Sequence, residues 1–396
     1  MTNSDAARSN ESQLKIVVLG YIVRGPLGGL SWHHLQYILG LSQLGHDVYF
    51  LEDSGDYEGS CYDPIQKINT SDPTNGLRYT QSVLNKINFS DRWAYYDAHV
   101  SKWFGPQAKN VLDICSSADI LLNVSGVNVI RPWCEQIPYR VFIDTDPVFT
   151  QIKHLTDADA KSLALKHNSF FTFGENLPKS LFNFDDSIDW QATRQPVVLN
   201  QWKVTTPKKQ GKFTSVMQWD SYPPREYAGQ RYGMKADSFA DYIDLPSVAG
   251  QVFNLAITGP KTPFSLLQNK GWIISDPDKI AQTPWKYQDF IEQSKAEFTV
   301  AKHGYVVSRC GWFSERSAAY LASGRPVVTQ ETGFSDWLPV GDGILPFNNF
   351  DEAVAGIKEI NCHYDFHCRA ARAIAEEYFD SKKILSSLLE RALDNY

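Results

Sequence analysis

The run Arg309-Cys310-Gly311-Trp312-Phe313-Ser314-Glu315-Arg316 continues through Ser323-Gly324-Arg325-Pro326 into Val327-Val328-Thr329-Gln330. A polar turn containing Gly311 opens a helix, Gly324 ends it, and Pro326 leads into a buried strand. First-turn N–H groups of a helix lack intrahelical acceptors and form a ready anion site. Arg309 and Arg316 flank that turn with fixed positive charge, and Lys302 lies just upstream. Such a corner, with Gly311, Trp312 and Ser314 as its cradle, suits a diphosphate.

Other residues could join this chemistry. Glu331, Thr332 and Gly333 follow the Pro326 strand; the acid could accept from sugar hydroxyls and Gly333 could offer backbone N–H groups, or the segment is a plain loop. Lys261, after Thr258-Gly259-Pro260, either pairs with a phosphate or is a solvated loop lysine. Near the N-terminus, Gly28 and Gly29 precede a helix, where glycine lets backbone approach a phosphate or sugar, or simply makes a tight turn. His33 on the first turns of that helix could orient a hydroxyl or act as a base. Asp144-Thr145-Asp146 ends an apolar strand; such a pair can hold a divalent cation, but a polar turn before Pro147 is the preferred reading, with Asp144 meeting a substrate hydroxyl. Cys362-His363-x-x-x-His367-Cys368 hints at metal, yet lacks the separated paired elements of a structural zinc site, so no metal is expected.

The elements that must position these residues are readable. Leu14–Gly20 reads as a buried strand, 30–44 as a helix stopped by Gly45, and Asp47–Leu51 as a second strand. This βαβ unit implies a parallel sheet. Strands follow at Ile120–Val124, Tyr139–Ile143 and Phe170–Phe173, whereas 53–133 has no readable pattern. The proline-bearing segment 194–211 marks a boundary. A second strand–helix series runs from Phe213, with Lys302–Ser308 as a loop and Arg369–Leu393 as one long helix. In such sheets, functional loops leave the carboxyl ends of the strands.

The 396 residues suit two domains, and 43% hydrophobic content supplies two cores. A net charge of −7 makes nucleic acid an unlikely partner. Aromatic residues reach 13%, mostly for core packing. No apolar run reaches transmembrane length, residues 1–12 read as a disordered tail, and six scattered cysteines suggest a reducing, cytoplasmic setting.

G-G-L-S-W-H-H-L-Q-Y-I-L-G-L-S-Q-L-G-H-D-V resembles the G-G-x-x-x-H, helix, G-H-x-V pattern of glycosyltransferase family 4-like proteins (glycosyltransferase group 1), with Gly28, Gly29, His33, Gly45, His46 and Val48 in register. S-G-R-P-V-V-T-Q-E-T-G-F resembles the sugar-nucleotide half of the same group. The resemblance spans about Leu14 to Leu393 and implies an α/β GT-B fold: two Rossmann-like domains whose parallel sheets face an interdomain cleft. The implied division is 13–200 for the acceptor, 201–370 for the nucleotide sugar, and 371–396 as a terminal helix packing back on the first domain. It further implies metal-independent transfer of a sugar from a nucleoside-diphosphate sugar to an acceptor hydroxyl, the nucleotide sugar being a substrate and no cofactor being needed. Family 4 members carry two glutamates eight positions apart; those slots hold Gly311 and Ala319 here, with Glu315 between them as the nearest substitute. R-C-G-W-F-S also resembles H-C-G-W-N-S of plant-type inverting enzymes, so retention is the expectation and inversion stays open. A sugar-nucleotide epimerase and an inactive nucleotide-sugar binding protein are the alternatives.

Overall fold

The structure is a computed structural model that describes residues 13–177 and 184–394. The tail expected at 1–12 lies outside the described residues. Two sheets dominate. The first has eight strands, in spatial order Gln191–Ala192, Ser169–Thr172, Tyr139–Asp144, Ile120–Val124, Lys15–Leu19, Asp47–Asp53, Trp93–Asp97 and Lys102–Phe104. All neighbours are parallel except the last pair. The second has six parallel strands: Ile273–Ser275, Phe253–Thr258, Phe213–Gln218, Ala296–Thr299, Val327–Gln330 and Ile344–Phe347. Central strands such as Ile120–Val124 are buried at every position, because helices cover both sheet faces.

The helix Gly28–Gln43 links the first two strands, and Gly45, at φ 93°, takes the left-handed conformation just past its end. Segment 53–133, opaque in sequence apart from Ile120–Val124, contains the helix Thr74–Lys86 and the strands Trp93–Asp97 and Lys102–Phe104. Its strands are short and the second is partly exposed, so hydrophobic periodicity is weak there. Two expectations need correction. Lys302–Ser308 is not a loop: His303–Ser308 is helical, with Lys302 at its N-cap. The single helix expected at Arg369–Leu393 is two helices, Tyr364–Tyr378 and Ser381–Asp394. They part at Asp380, which pairs with Val197. Val197 donates its N–H to Phe379 O at 2.7 Å, and its carbonyl accepts from Ser381 N–H at 2.9 Å. The two crossings between the lobes thus run side by side.

The terminal helix packs against Gly28–Gln43, where a Cβ on Gly40 would come within 2.5 Å of Leu385. One apolar cluster joins Ile16, Trp32 and Ile38 of the first lobe to Phe313, Tyr320 and Leu385. Trp32 lies 5.0 Å from Trp202 and donates to Pro284 O at 2.8 Å. An interface this apolar holds the lobes together with the carboxyl ends of both sheets facing a common gap. No helix among the described residues is long and apolar enough to cross a membrane.

Candidate functional site

The gap opens into a cavity of about 530 Å³. Tyr21, Arg24 and Val127, from loops after strands of the first sheet, face Gln218 and Thr258 at strand ends of the second, with Asp278 beside them. One buried carboxylate sets the first wall. Glu52 accepts from the N–H groups of Ile22, Val23 and Arg24 at 2.7, 2.8 and 2.7 Å, which fixes the loop after the first strand. Burial nonetheless raises the pKa of Glu52, only partly offset by Arg24.

His33 sits at the edge of this wall. Its Nε2 lies 3.2 Å from Ser125 Oγ, which lies 2.9 Å from Thr145 Oγ1. Ser125 holds φ at 66°, an unusual conformation for a serine that aims its hydroxyl between the two partners. Burial lowers the pKa of His33, with Glu315 pulling the other way. A neutral imidazole is therefore favoured. Tyr21 is pushed up to about 12, chiefly by burial. Neighbouring His34 serves the fold instead, its Nε2 accepting from Tyr21 N–H at 3.1 Å in the interior.

Glu315 opens the helix Glu315–Ala322 on the opposite lobe. It shares a small crevice with Gly29, His33 and Arg316, and its charge reaches Tyr21, His33 and Tyr37. Ser314 is the N-cap, its Oγ accepting from Arg316 N–H at 3.2 Å. The folding of the chain thus brings His33 and Glu315 together from sequence positions far apart.

The cations divide by what neutralises them. Arg316 turns inward: it pairs with fully buried Glu297 and donates to Val216 O at 2.8 Å and Thr299 Oγ1 at 2.7 Å. Lys302 reaches across the gap to Asp146 Oδ1 at 2.8 Å and Tyr222 OH at 2.8 Å. Tyr222 and Tyr305 also hydrogen-bond Asp146. Arg309 is half exposed at the end of the short helix, 3.8 Å from Asp336. Lys261 is exposed in its loop and lines neither the cavity nor the crevice.

Lys235 is different and has no motif to announce it. It begins the helix Lys235–Phe239 and makes no ion pair among the described residues. Burial drives its pKa well down, and the like charges of Arg316 and Lys302 add to this, against a smaller opposing pull from Glu297 and Glu315. A polyanion bound nearby would favour the charged form of this lysine.

Several expected contributors have other occupations. Asp144 is not turned to the gap: it accepts from Thr150 Oγ1, Gln151 Nε2, Thr172 Oγ1 and Asp146 N–H at 2.6, 3.0, 2.7 and 2.9 Å. These bonds fill its acceptor sites and hold the strand end. Gly28 donates its N–H to Ala281 O, and a Cβ there would lie 2.3 Å from Thr283 O. Gly28 and Gly29 thereby admit the second lobe's Thr283–Tyr287 segment. Gly311 donates its N–H to Thr332 O at 2.8 Å, and Thr332 Oγ1 donates to Trp312 O. Glu331 accepts from Gly333 N–H. Asn176 of the first lobe donates to Cys310 O at 3.0 Å and Gly333 O at 2.8 Å, and contacts the space where a Gly311 or Gly333 Cβ would stand. The Arg309–Trp312 half of the corner is therefore an interlobe seam, with the Trp312 ring tilted against Tyr305 at 4.4 Å. Only its Ser314–Arg316 half belongs to the group around His33.

Glu359, His363 and His367 place ligand atoms within 4.8 Å of one another. His367 Nδ1 accepts from Gly343 N–H at 3.1 Å, so a neutral ring carries its proton on Nε2, facing Glu359 at 3.5 Å. A metal at Nε2 would require that proton to leave, which argues against this trio as a site.

No protein-family model matches the sequence, and no curated protein matches it. Solved structures do. An α-glucosyltransferase in complex with UDP-glucose and DNA containing an abasic site matches at TM-score 0.57 and 11% identity, over 96% of this chain and 100% of that one. HepE of Anabaena in complex with UDP-glucose matches at 0.59 and 12%, again over 96% and 100%. AviGT4, a glycosyltransferase involved in avilamycin A biosynthesis, matches at 0.53 and 13%, over 96% and 97%. Likeness at this identity speaks for architecture, and along its full described length the chain has the two-lobed GT-B fold of these glycosyltransferases.

Proposed function

We propose that the protein is a glycosyltransferase that moves a sugar from a nucleoside-diphosphate sugar to an acceptor hydroxyl within the interlobe gap. The observation that carries this reading is that Glu315 of the second lobe and His33 of the first meet in one crevice at the interlobe gap, with partly buried Lys235 near enough to feel the charge of the same acid. As the glycosidic bond breaks, the diphosphate gains charge. Lys235, the first-turn amides at Ser314–Arg316 and Lys302, once released from Asp146, would stabilise it. Glu315 would bind donor hydroxyls. Neutral His33, steadied by Ser125, would accept a hydrogen bond from a substrate hydroxyl or position it. The cavity beside Tyr21 and Arg24 would take the acceptor.

UDP-sugars are the first donors to test, because several of the similar solved structures, the α-glucosyltransferase and HepE, hold UDP-glucose or UDP. Metal-independent transfer is part of the proposal. It is supported by the commitment of Asp144 to four donors, which leaves that acid no free site to face a cation. Retention of anomeric configuration is part of it too, supported by the family 4-like glycine–histidine segment standing opposite Glu315.

Calorimetry with UDP, GDP, ADP and dTDP, followed by acceptor-dependent release of the bound nucleotide from its sugar, tests the reading. Binding of one nucleotide, weakened about tenfold or more in Lys235→Met, is expected. If all four fail to bind the folded protein, the proposal is wrong. Sugar conversion without any acceptor would point instead to an epimerase.

A further inference from the structure

The interlobe cavity is not the largest in the molecule. A second one, about 680 Å³, lies at the amino-terminal edge of the second sheet, away from the strand ends that face the gap. Its walls include Lys209, Lys295, Asn361 and the first turn of the helix Tyr364–Tyr378.

Lys295 is only 6% exposed, yet no carboxylate or carbonyl among the described residues takes a hydrogen bond from its ammonium. Its contacts are the faces of two aromatic rings, Tyr364 at 5.3 Å and Phe213 at 6.0 Å. Ring faces compensate a cation only in part, and burial lowers the lysine's pKa accordingly. A lysine this covered, with its opening toward the cavity and no counter-charge among the described residues, gains from an anion that reaches it there.

The second observation is independent of the lysine. The helix Tyr364–Tyr378 has fifteen residues, and its N-cap His363 gives no side-chain hydrogen bond to the first-turn amides. The positive end of a four-turn helix therefore opens on the same cavity. Tyr364 ties the two features together, since it is both the first helical residue and the ring nearest the lysine. Its OH donates to Lys295 O at 2.7 Å, and Lys208 N–H donates to that OH at 3.2 Å, so the rim is held in place. Lys209 stands at the mouth, 2.7 Å from Asp365, both well exposed. The Oδ1 of Asn361 is buried without a partner, leaving room for a donor on the ligand.

We propose that this cavity is a second anion site that takes a small phosphate monoester, with its phosphate between Lys295 and the start of the Tyr364–Tyr378 helix and a ligand hydroxyl toward Asn361. The site is separate from the sugar-transfer gap. The Tyr364–Tyr378 helix ends two residues before Asp380, at the paired crossings between the lobes.

Hydrogen exchange on the full chain, with and without inorganic phosphate and glycerol 3-phosphate, tests this directly. Slowed exchange at the amides of residues 364 and 365 is expected, since those of 366 and 367 already donate to His363 O, with the phosphate monoester acting at a lower concentration than the free ion. The Lys295→Met variant should lose at least tenfold in affinity for both probes, and its melting temperature without anion should not fall, because a neutral side chain replaces a buried charge. Unchanged exchange at 364 and 365 in the wild-type protein overturns the proposal, as does wild-type affinity in Lys295→Met. The exchange result stands even if that variant does not fold, or if the gap also binds phosphate.

Discussion

Lys302 of the second lobe donates to Asp146 of the first across 2.8 Å, and the side chains of Tyr222 and Tyr305 close on the same carboxylate. A cation suited to a diphosphate is thus already neutralised by the opposite lobe. Donor binding would have to exchange Asp146 for phosphate. Asp146→Asn should tighten UDP binding by about fivefold, the equivalent of roughly 1 kcal/mol. Calorimetry that finds weaker or unchanged binding would remove Lys302 from the donor site.

Lys235→Met separates binding from stability. The lysine is partly buried and makes no ion pair among the described residues, so an apolar replacement should leave the melting temperature unchanged or raise it while nucleotide affinity drops about tenfold or more. A variant that binds nucleotide normally would falsify the role given to Lys235.

Gly28→Ala sets two effects against each other. Alanine is favoured over glycine in a helix by about 1 kcal/mol. A Cβ at this position, however, would stand 2.3 Å from the Thr283 carbonyl oxygen and 2.7 Å from its carbon. Backbone atoms cannot swing aside, so the clash should win, at a cost of about 1–3 kcal/mol, and force the lobes apart. Denaturant unfolding and small-angle scattering would show lower stability and a larger radius. A stabilised, equally compact variant would contradict this close approach of the lobes.

His167 should shape the acid limb of stability. Its Nδ1 lies 2.8 Å from Ala164 O and its Nε2 lies 3.0 Å from Asn123 Nδ2, an arrangement that fixes the neutral ring. Burial takes its pKa from 6.5 to about 4. The unfolded chain binds the proton first, so this contribution is whole above pH 6.5 and is lost as pH falls from 6.5 to about 4, by on the order of 3 kcal/mol. His33, His34 and His303 also have lowered values and act in the same direction. Urea unfolding from pH 7.5 to 4 should show the decline, shallower in His167→Gln. Identical slopes in the two proteins would show that His167 is not its source.

His33→Gln keeps a hydrogen-bonding group near Ser125 but removes the titrating ring. Sugar transfer should fall by about 10²-fold, the lower end of general acid–base contributions, with nucleotide affinity little changed. A loss confined to nucleotide binding would reassign His33 to the donor.

Much of the scaffold was legible because it rests on local signals. The all-apolar strand Ile120–Val124, the helix stopped by Gly45 and the Pro326 turn carry their patterns within a few residues. They were enough to predict parallel sheets whose strand ends face a gap. His33 and Glu315 were also visible, each as a polar residue at the start of a helix. Tertiary structure decided which polar groups remain available. Arg316 is turned inward by Glu297, Asp144 is filled by donors from residues up to 28 positions away, and Gly311 gives its N–H to Thr332. Lys235 has no motif, and its weight comes only from the partner it lacks. Whether a charge is compensated depends on the three-dimensional arrangement of groups remote in the chain, since desolvation and Coulomb interaction act through space.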